Sequence, residues 1–310
     1  MPSLTVLMPT HNAALYLRDA VASVLSQDMP DFELLVLDDG SNDGSFEYLR
    51  TLADPRITIS RSEKNIGLGA TLTRGLDLCK TEFFVRMDAD DIIEPTKFSK
   101  QIAFLHDHPE IGLVGTQFHY FGAGGARAAL SPRVPLGHDA IVAGLHKRAL
   151  TLVHGSLMGR TEVLRRAGGY RVRGMGEDWD MFLRASETTR LANLPDDLYR
   201  WRLHNENARL SHIMEQQRGI DFACDCATRR TAGQAEQSFD EFVATQRKQA
   251  LARRLRTLAD LYALAQYRIA LTSISAGRPV RGYARLALAA SCSPTRSVDR
   301  VRRMFARGPS

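Results

Sequence analysis

Short apolar runs alternate with helix-period stretches through the first hundred residues. Leu4-Thr5-Val6-Leu7-Met8 reads as a strand stopped by Pro9. Leu34-Leu35-Val36-Leu37, Ile57-Thr58-Ile59 and Phe83-Phe84-Val85-Arg86-Met87 read as three more. The run at 34–37 is apolar on both faces, as a parallel strand covered by helices would be. Between the strands, Leu17, Val21, Val24 and Leu25 share one helical face, with Asn12 placed to cap that helix. Leu68, Leu72, Leu76 and Cys79 follow Gly67 on a second helix, and Phe98, Ile102 and Leu105 mark a third. This β-α-β-α order predicts an α/β fold, a mostly parallel twisted sheet flanked by helices.

The middle of the chain is less regular. Residues 118–129, with Gly122, Gly124 and Gly125, predict a hairpin or flexible excursion, and residues 155–160 a strand. A loop running from Gly168-Gly169-Tyr170 to Gly176 leads into a helix over 177–187, with Trp179, Phe182 and Leu183 turned inward. Residues 198–204 predict a strand. Beyond about residue 211 the pattern is helical, so the expected organisation is an α/β body over 1–210 and a helical extension over 211–310.

In open α/β sheets ligands gather beyond the carboxyl ends of the strands. The polar residues there, 10–12, 38–43, 64–65 and 88–91, become the candidates. Asp88-Ala89-Asp90-Asp91 places three mutually repelling carboxylates within four residues. A hard divalent cation, Mg²⁺ or Mn²⁺, relieves that repulsion and keeps coordination places for substrate phosphate. The alternative is an acidic turn capping the next helix near Pro95. Asp38-Asp39-Gly40-Ser41-Asn42-Asp43 forms a second acidic loop, where an Asp can accept from a base N–H or ribose hydroxyl and Gly40 permits a tight turn. Helix capping by Ser41, Asn42 or Asp43 is compatible with that role.

Charge and cysteines narrow the class. The 310 residues carry a net charge of +6, yet from Arg247 onward fourteen Arg and Lys face only Asp260 and Asp299, so the remainder is net acidic. That asymmetry describes a catalytic body with a basic tail. Cys79, Cys224, Cys226 and Cys292 lack disulfide or zinc spacing and read as free thiols in a reducing compartment. No stretch approaches the roughly 18–20 apolar residues that span a bilayer, and the first residues lack the basic start of a signal peptide. A cytoplasmic location is expected.

Val6-Leu7-Met8-Pro9-Thr10-His11-Asn12, residues 37–45 and Met87-Asp88-Ala89-Asp90-Asp91 together resemble the family-2 inverting glycosyltransferases of GT-A fold. Gly176-Glu177-Asp178-Trp179-Asp180 resembles that family's acidic "ED" segment, and Trp201-Arg202-Leu203-His204 its later aromatic-Arg-x-His element. The likeness spans roughly residues 3–210. It implies a nucleotide-diphosphate sugar as donor and a carbohydrate or lipid-linked hydroxyl as acceptor, in surface polysaccharide or glycolipid assembly. Residue by residue, it implies that Pro9 and Thr10 line the base and Asp39 hydrogen-bonds it. Asp88 would contact the ribose or diphosphate, Asp90 ligate the metal, and Asp178 act as general base, with His204 a further candidate near the metal. One departure is Thr73, where the family often has Asn.

The residues themselves support several of these roles. Asp178 lies at a predicted helix N-terminus, which favours an ionised carboxylate, although a first-turn acid without catalytic duty is the plain alternative and Glu177 and Asp180 compete. Arg202 and His204 alternate along a strand, so both can face one side and a diphosphate there; His204 reads equally as structural. His154 is a candidate near the acceptor. Two rivals share parts of the pattern. A nucleotidyltransferase would bring a glycine- and basic-rich early loop that His11-Asn12-Ala13-Ala14 does not supply, and a catalytically silent sugar-nucleotide-binding protein would not need both Asp90 and Asp178.

In the tail, Leu251, Leu255, Leu258, Tyr262, Ala265 and Ile269 form an apolar stripe flanked by Arg253, Arg254 and Arg256. Such a helix lies on an anionic membrane surface or packs on the catalytic body, and the two readings stand side by side. Few aromatics interleave the charges, so nucleic acid is not an expected partner.

Overall fold

The computed structural model describes residues 2–122, 125, 127, 131–171, 176–203, 210–248 and 251–294. They group into two compact units: residues 1–118, 134–173 and 177–200 in the first, and 119–133, 174–176 and 201–310 in the second.

In the first unit, strands β1 (Leu4–Thr10), β2 (Phe32–Asp39), β3 (Ile57–Ser62) and β4 (Phe83–Arg86) pair in parallel, joined by helices α1 (Leu17–Leu25), α2 (Ser45–Leu49) and α3 (Leu68–Leu78). Chain order continues with β5 (Ile92–Ile93), α4 (Lys97–Asp107), β6 (Ile111–Phe121), α5 (His138–His146), β7 (Met158–Arg160), α6 (Thr161–Arg166), α7 (Glu177–Ser186) and β8 (Arg190–Arg202). The sheet order is β3-β2-β1-β4-β7-β6-β8-β5. Strand β7 runs antiparallel to β4 and β6, and β5 antiparallel to β8. Leu4, Val6, Leu7, Leu34, Val36, Leu37, Phe84 and Val85 are fully buried, which matches runs apolar on both faces. Register then fixes where the chemistry lies: Thr10 pairs with Asp38 and Leu7 with Arg86. The carboxyl ends of β1, β2 and β4 therefore finish at one edge.

Four local expectations change. Asn12 does not cap α1, whose first residue follows Tyr16 without a side-chain cap. Instead Asn12 sits at φ 50° and its side-chain oxygen accepts from the Asn42 backbone N–H at 2.9 Å, tying the β1 loop to the β2 loop. Residues 155–160 are a helical turn at His154–Ser156 followed by the three residues of β7. Strand β6 runs straight through Phe118 to Phe121, which bridges to Arg127, and the rest of the expected excursion includes positions outside the described residues. Strand β8 begins eight residues earlier than expected. Pro195 lies within it, away from Tyr199 and Arg200, the positions that pair with β5.

The second unit contains helices α8 (Leu210–Thr231), α9 (Phe239–Arg247), α10 (Leu251–Ser275) and α11 (Pro279–Cys292). Ser238 and Glu241 form a reciprocal capping box at the start of α9. Ile213, Leu261 and Ala265 make a buried cluster with Met214 and Leu264 against it. The expected stripe on α10 divides: Ala265 is buried, while Leu251, Leu255, Leu258 and Tyr262 stay exposed. All four cysteines are free. Among the described residues no helix is long and apolar enough to cross a membrane.

Candidate active site

In the β2 loop, Asp39 and Asp43 are held by neutral donors. Both Asp39 oxygens accept from backbone N–H groups, Ile66 at 2.8 Å and Gly67 at 2.9 Å. A carboxylate has about four lone-pair sites, so two remain for a ligand. Asp43 accepts from the N–H of Ala14 (2.9 Å), the N–H of Ser45 (3.0 Å) and the Ser45 hydroxyl (2.6 Å). Burial opposes the charge, but the Ser45 hydroxyl and those N–H groups hold the Asp43 carboxyl below its ordinary range. Asp38 is fully buried and faces the Arg61 guanidinium at 3.2 Å. Gly40, at φ 71°, leaves no room for a side chain: a Cβ would stand 2.7–2.9 Å from the backbone of Lys64 and Asn65. Thr10 ends β1 almost buried, and Pro9 before it is half-buried.

The β4 loop is held by charged and side-chain donors. Arg86, 3% exposed, pairs with Asp88. Burial works against its charge, yet the Asp88 carboxylate outweighs that and raises the guanidinium's pKa. The Tyr199 hydroxyl, buried on β8, lies 3.0 Å from Asp88 Oδ2 and also contacts Asp91 Oδ2. Burial, then Asp88 and Asp91, push the Tyr199 pKa well above its ordinary value, so the hydroxyl remains a donor. Gly155 makes this contact possible, because a Cβ there would fall on the Tyr199 hydroxyl and the Asp88 carboxylate. Asp90 occupies the turn between Asp88 and Asp91, half-buried.

Asp178 stands in the first turn of α7, and its Oδ1 accepts from the Trp179 N–H at 2.8 Å. Its carboxyl pKa is raised, first by burial and further by Asp88, with the Trp179 N–H and Arg86 opposing. The sequence argument from the helix N-terminus pointed the other way; desolvation exceeds the end-of-helix effect here. The same interactions place Asp178 within electrostatic reach of Arg86 and Asp88. Asp180 is committed elsewhere: Arg184, 4% exposed, holds it at 2.7 Å and also donates to the Gly169 carbonyl at 2.8 Å. His154 Nε2 lies 2.9 Å from the Tyr170 hydroxyl. Burial and then Arg86 depress the His154 pKa well below 6.5, so the ring stays neutral.

Asp88, Asp178 and His154 thus gather around Arg86, while Pro9, Thr10 and Asp39 end the neighbouring strands. Arg202 closes β8 in the second unit, its guanidinium 4.5 Å from the Phe121 ring centre. His204 lies outside the described residues, as do residues 172–175 of the loop before α7. Arg86 and Tyr199 escaped sequence reasoning. Arg86 did leave a sign, a lone cation inside an apolar strand. Among the described residues no three His, Cys, Asp or Glu side chains converge to cage a metal. A cation bound through one or two carboxylates plus substrate phosphates needs no cage, and the hard oxygens of the 88–91 turn fit such a cation.

The mixed α/β sheet with acidic loops at its strand ends is similar to that of GT-A glycosyltransferases. Comparison with known proteins agrees. TarS of S. aureus, solved in complex with UDP-GlcNAc, is similar with a TM-score of 0.57 at 19% identity, over 99% of this chain and 93% of that one. The mannosyltransferase PcManGT from Pyrobaculum calidifontis, in complex with GDP-Man and Mn²⁺, is similar with a TM-score of 0.53 at 19% identity, over 95% and 88%. EpsE of Bacillus subtilis (strain 168), described as a glycosyltransferase, is 33% identical over 212 residues, 65% of this chain and 73% of EpsE. The model of glycosyl transferase family 2 matches residues 5–168. The chain belongs to that family and is a glycosyltransferase.

Proposed function

We propose that residues 1–210 transfer a sugar from a nucleoside-diphosphate donor to a hydroxyl acceptor with inversion, assisted by Mg²⁺ or Mn²⁺. The observation that carries this reading is the shared electrostatic neighbourhood of Asp178 and Asp88, which brings a base candidate to the acidic turn. Pro9, Thr10 and Asp39 bind the nucleoside end, and Asp88 orients the ribose or diphosphate. Asp90, and His204 with it, would hold the cation, which when bound supplies Lewis-acid stabilisation of the departing diphosphate. Arg202 contributes a cation to the same diphosphate. Asp178 takes the proton of the acceptor hydroxyl as it attacks the anomeric carbon. Its pKa, raised by burial, makes it a stronger base than an ordinary aspartate. One displacement from the face opposite the leaving group inverts the anomeric centre.

The acceptor is a carbohydrate or lipid-linked carbohydrate in surface polysaccharide or glycolipid assembly. Residues 211–310 hold the enzyme on an anionic membrane face where such an acceptor is presented. The test pairs UDP- and GDP-sugars with Mn²⁺ or Mg²⁺ and follows product configuration by NMR. Inverted product from the wild type, with Asp178→Asn inactive but still binding donor, supports the reading. Retained configuration, or full activity in chelator, overturns it.

A further inference from the structure

Helices α10 and α11 pack closely through small residues. Gly282 is buried, and a Cβ there would collide with Ile274 and the Ala270 carbonyl; Ala270 and Ala289 are buried too. Away from that seam the hairpin is unusually apolar. Leu251, Leu255, Leu258 and Tyr262 are exposed along α10, and Val280 (83%), Tyr283 (64%) and Leu288 along α11. Exposed apolar side chains on both helices of one hairpin offer surface for an interaction.

A cavity of about 640 Å³ opens beside this surface. Leu210, Tyr262, Ile269 and Ala276 contribute apolar walls, and Arg278, Arg281 and Arg285 line the same space. Arg285 is steadied by the Gln266 side-chain oxygen at 2.5 Å. Arg278 and Arg281 are exposed, and neither guanidinium has an acidic partner among the described residues. The one acid on either helix, Asp260, accepts from the Ser293 hydroxyl at 2.6 Å.

We propose that this groove holds the phosphate of an anionic phospholipid, taking as given the membrane attachment stated above. Guanidinium forks match phosphate oxygens, and the volume suits a headgroup with the first part of its acyl chains. The exposed leucines, Val280 and Tyr283 enter the bilayer interface, where their burial is favourable. Nucleic acid would satisfy the arginines but leave that apolar stripe in water, so the charge and the stripe together select lipid.

The test uses the full chain and phosphatidylcholine vesicles with or without phosphatidylglycerol. Arg278→Gln/Arg281→Gln is compared with Arg302→Gln/Arg303→Gln, an equal loss of charge in the C-terminal segment. Wild type should partition onto the anionic vesicles. The groove pair should weaken partition roughly 30-fold, two cations' worth, and the tail pair much less. Transfer to a soluble acceptor should be unchanged in both. In a Tyr262→Trp background, anionic vesicles should shift the difference fluorescence to the blue, and the groove pair should abolish that shift. Equal losses from the two pairs, or an introduced indole left at its aqueous wavelength on bound protein, would overturn the groove while leaving membrane attachment standing. Failure of wild type to partition would sink the attachment itself.

Discussion

The β2 and β4 loops are both acidic and each pairs one Asp with an arginine, but their other carboxylates are held differently. Asp39 and Asp43 are satisfied by backbone N–H groups and a serine hydroxyl, so they give the β2 loop its shape without a strong countercharge. Asp88 and Asp91 are held by a buried arginine and a buried tyrosine, and Asp178 joins the same field. Backbone donors cannot move without refolding the loop. Side-chain donors can exchange one partner for another when a diphosphate and cation arrive. One acidic loop is therefore suited to hold a nucleoside, and the other to respond to charge.

The difference is best broken at Asp90. Asp90→Ala should cost about 10³-fold or more in kcat, the several kcal/mol that a Lewis acid supplies. Activity within tenfold of wild type, over a full Mn²⁺ titration, would remove the β4 loop from the reaction.

Asp178→Asn should lower kcat by roughly 10² to 10⁴ and at the same time raise Tm. The sign follows from linkage. With its pKa raised in the fold, Asp178 binds more proton folded than unfolded, so stability falls as pH rises from the unfolded value of 3.8 through the folded one. Asparagine keeps the Trp179 bond and removes that cost. Melting curves at neutral pH and near pH 3 check it: the gain should be present at the first and absent at the second.

Tyr199→Phe should raise the Mn²⁺ concentration for half-maximal activity by roughly 10- to 100-fold, because it removes the hydroxyl shared by the carboxylates flanking Asp90. A change in stability alone, with metal activation unmoved, would make Tyr199 merely structural. The smallest effect belongs to the β2 loop. Asp43→Ala should cost about 1–2 kcal/mol in urea unfolding and leave kcat within about twofold. Since the Asp43 pKa is lowered in the fold, its contribution is present above 3.8 and lost as pH falls below that. The variant should converge with wild type in acid.

The parallel core was legible because its signal is local. Runs such as Leu34-Leu35-Val36-Leu37 must be buried on both faces, and the polar residues after each strand must then lie at its end. The acidic loops at 38–43 and 88–91 were readable for the same reason; Asp178 was singled out only by the resemblance of residues 176–180 to the family's acidic segment, and helices α8 to α11 by their periodicity. Asn12 misled because a residue suited to capping is equally suited to bridging two loops, and only the loop 30 residues away settles the choice.

What folding decided was which charges meet. Tyr199 is 108 residues from Asp91, yet their side chains touch. The pKa of Asp178 is raised because burial outweighs a helix N-terminus, a balance that depends on desolvation and so has no counterpart in the chain's order. Likewise the stripe on α10 was visible as a pattern, but which of its leucines would stay in water depended on the packing of α8 and α11 against that helix. Periodicity along a chain specifies elements and faces. Coulomb interactions and burial act through space, and they were settled only when distant segments came together.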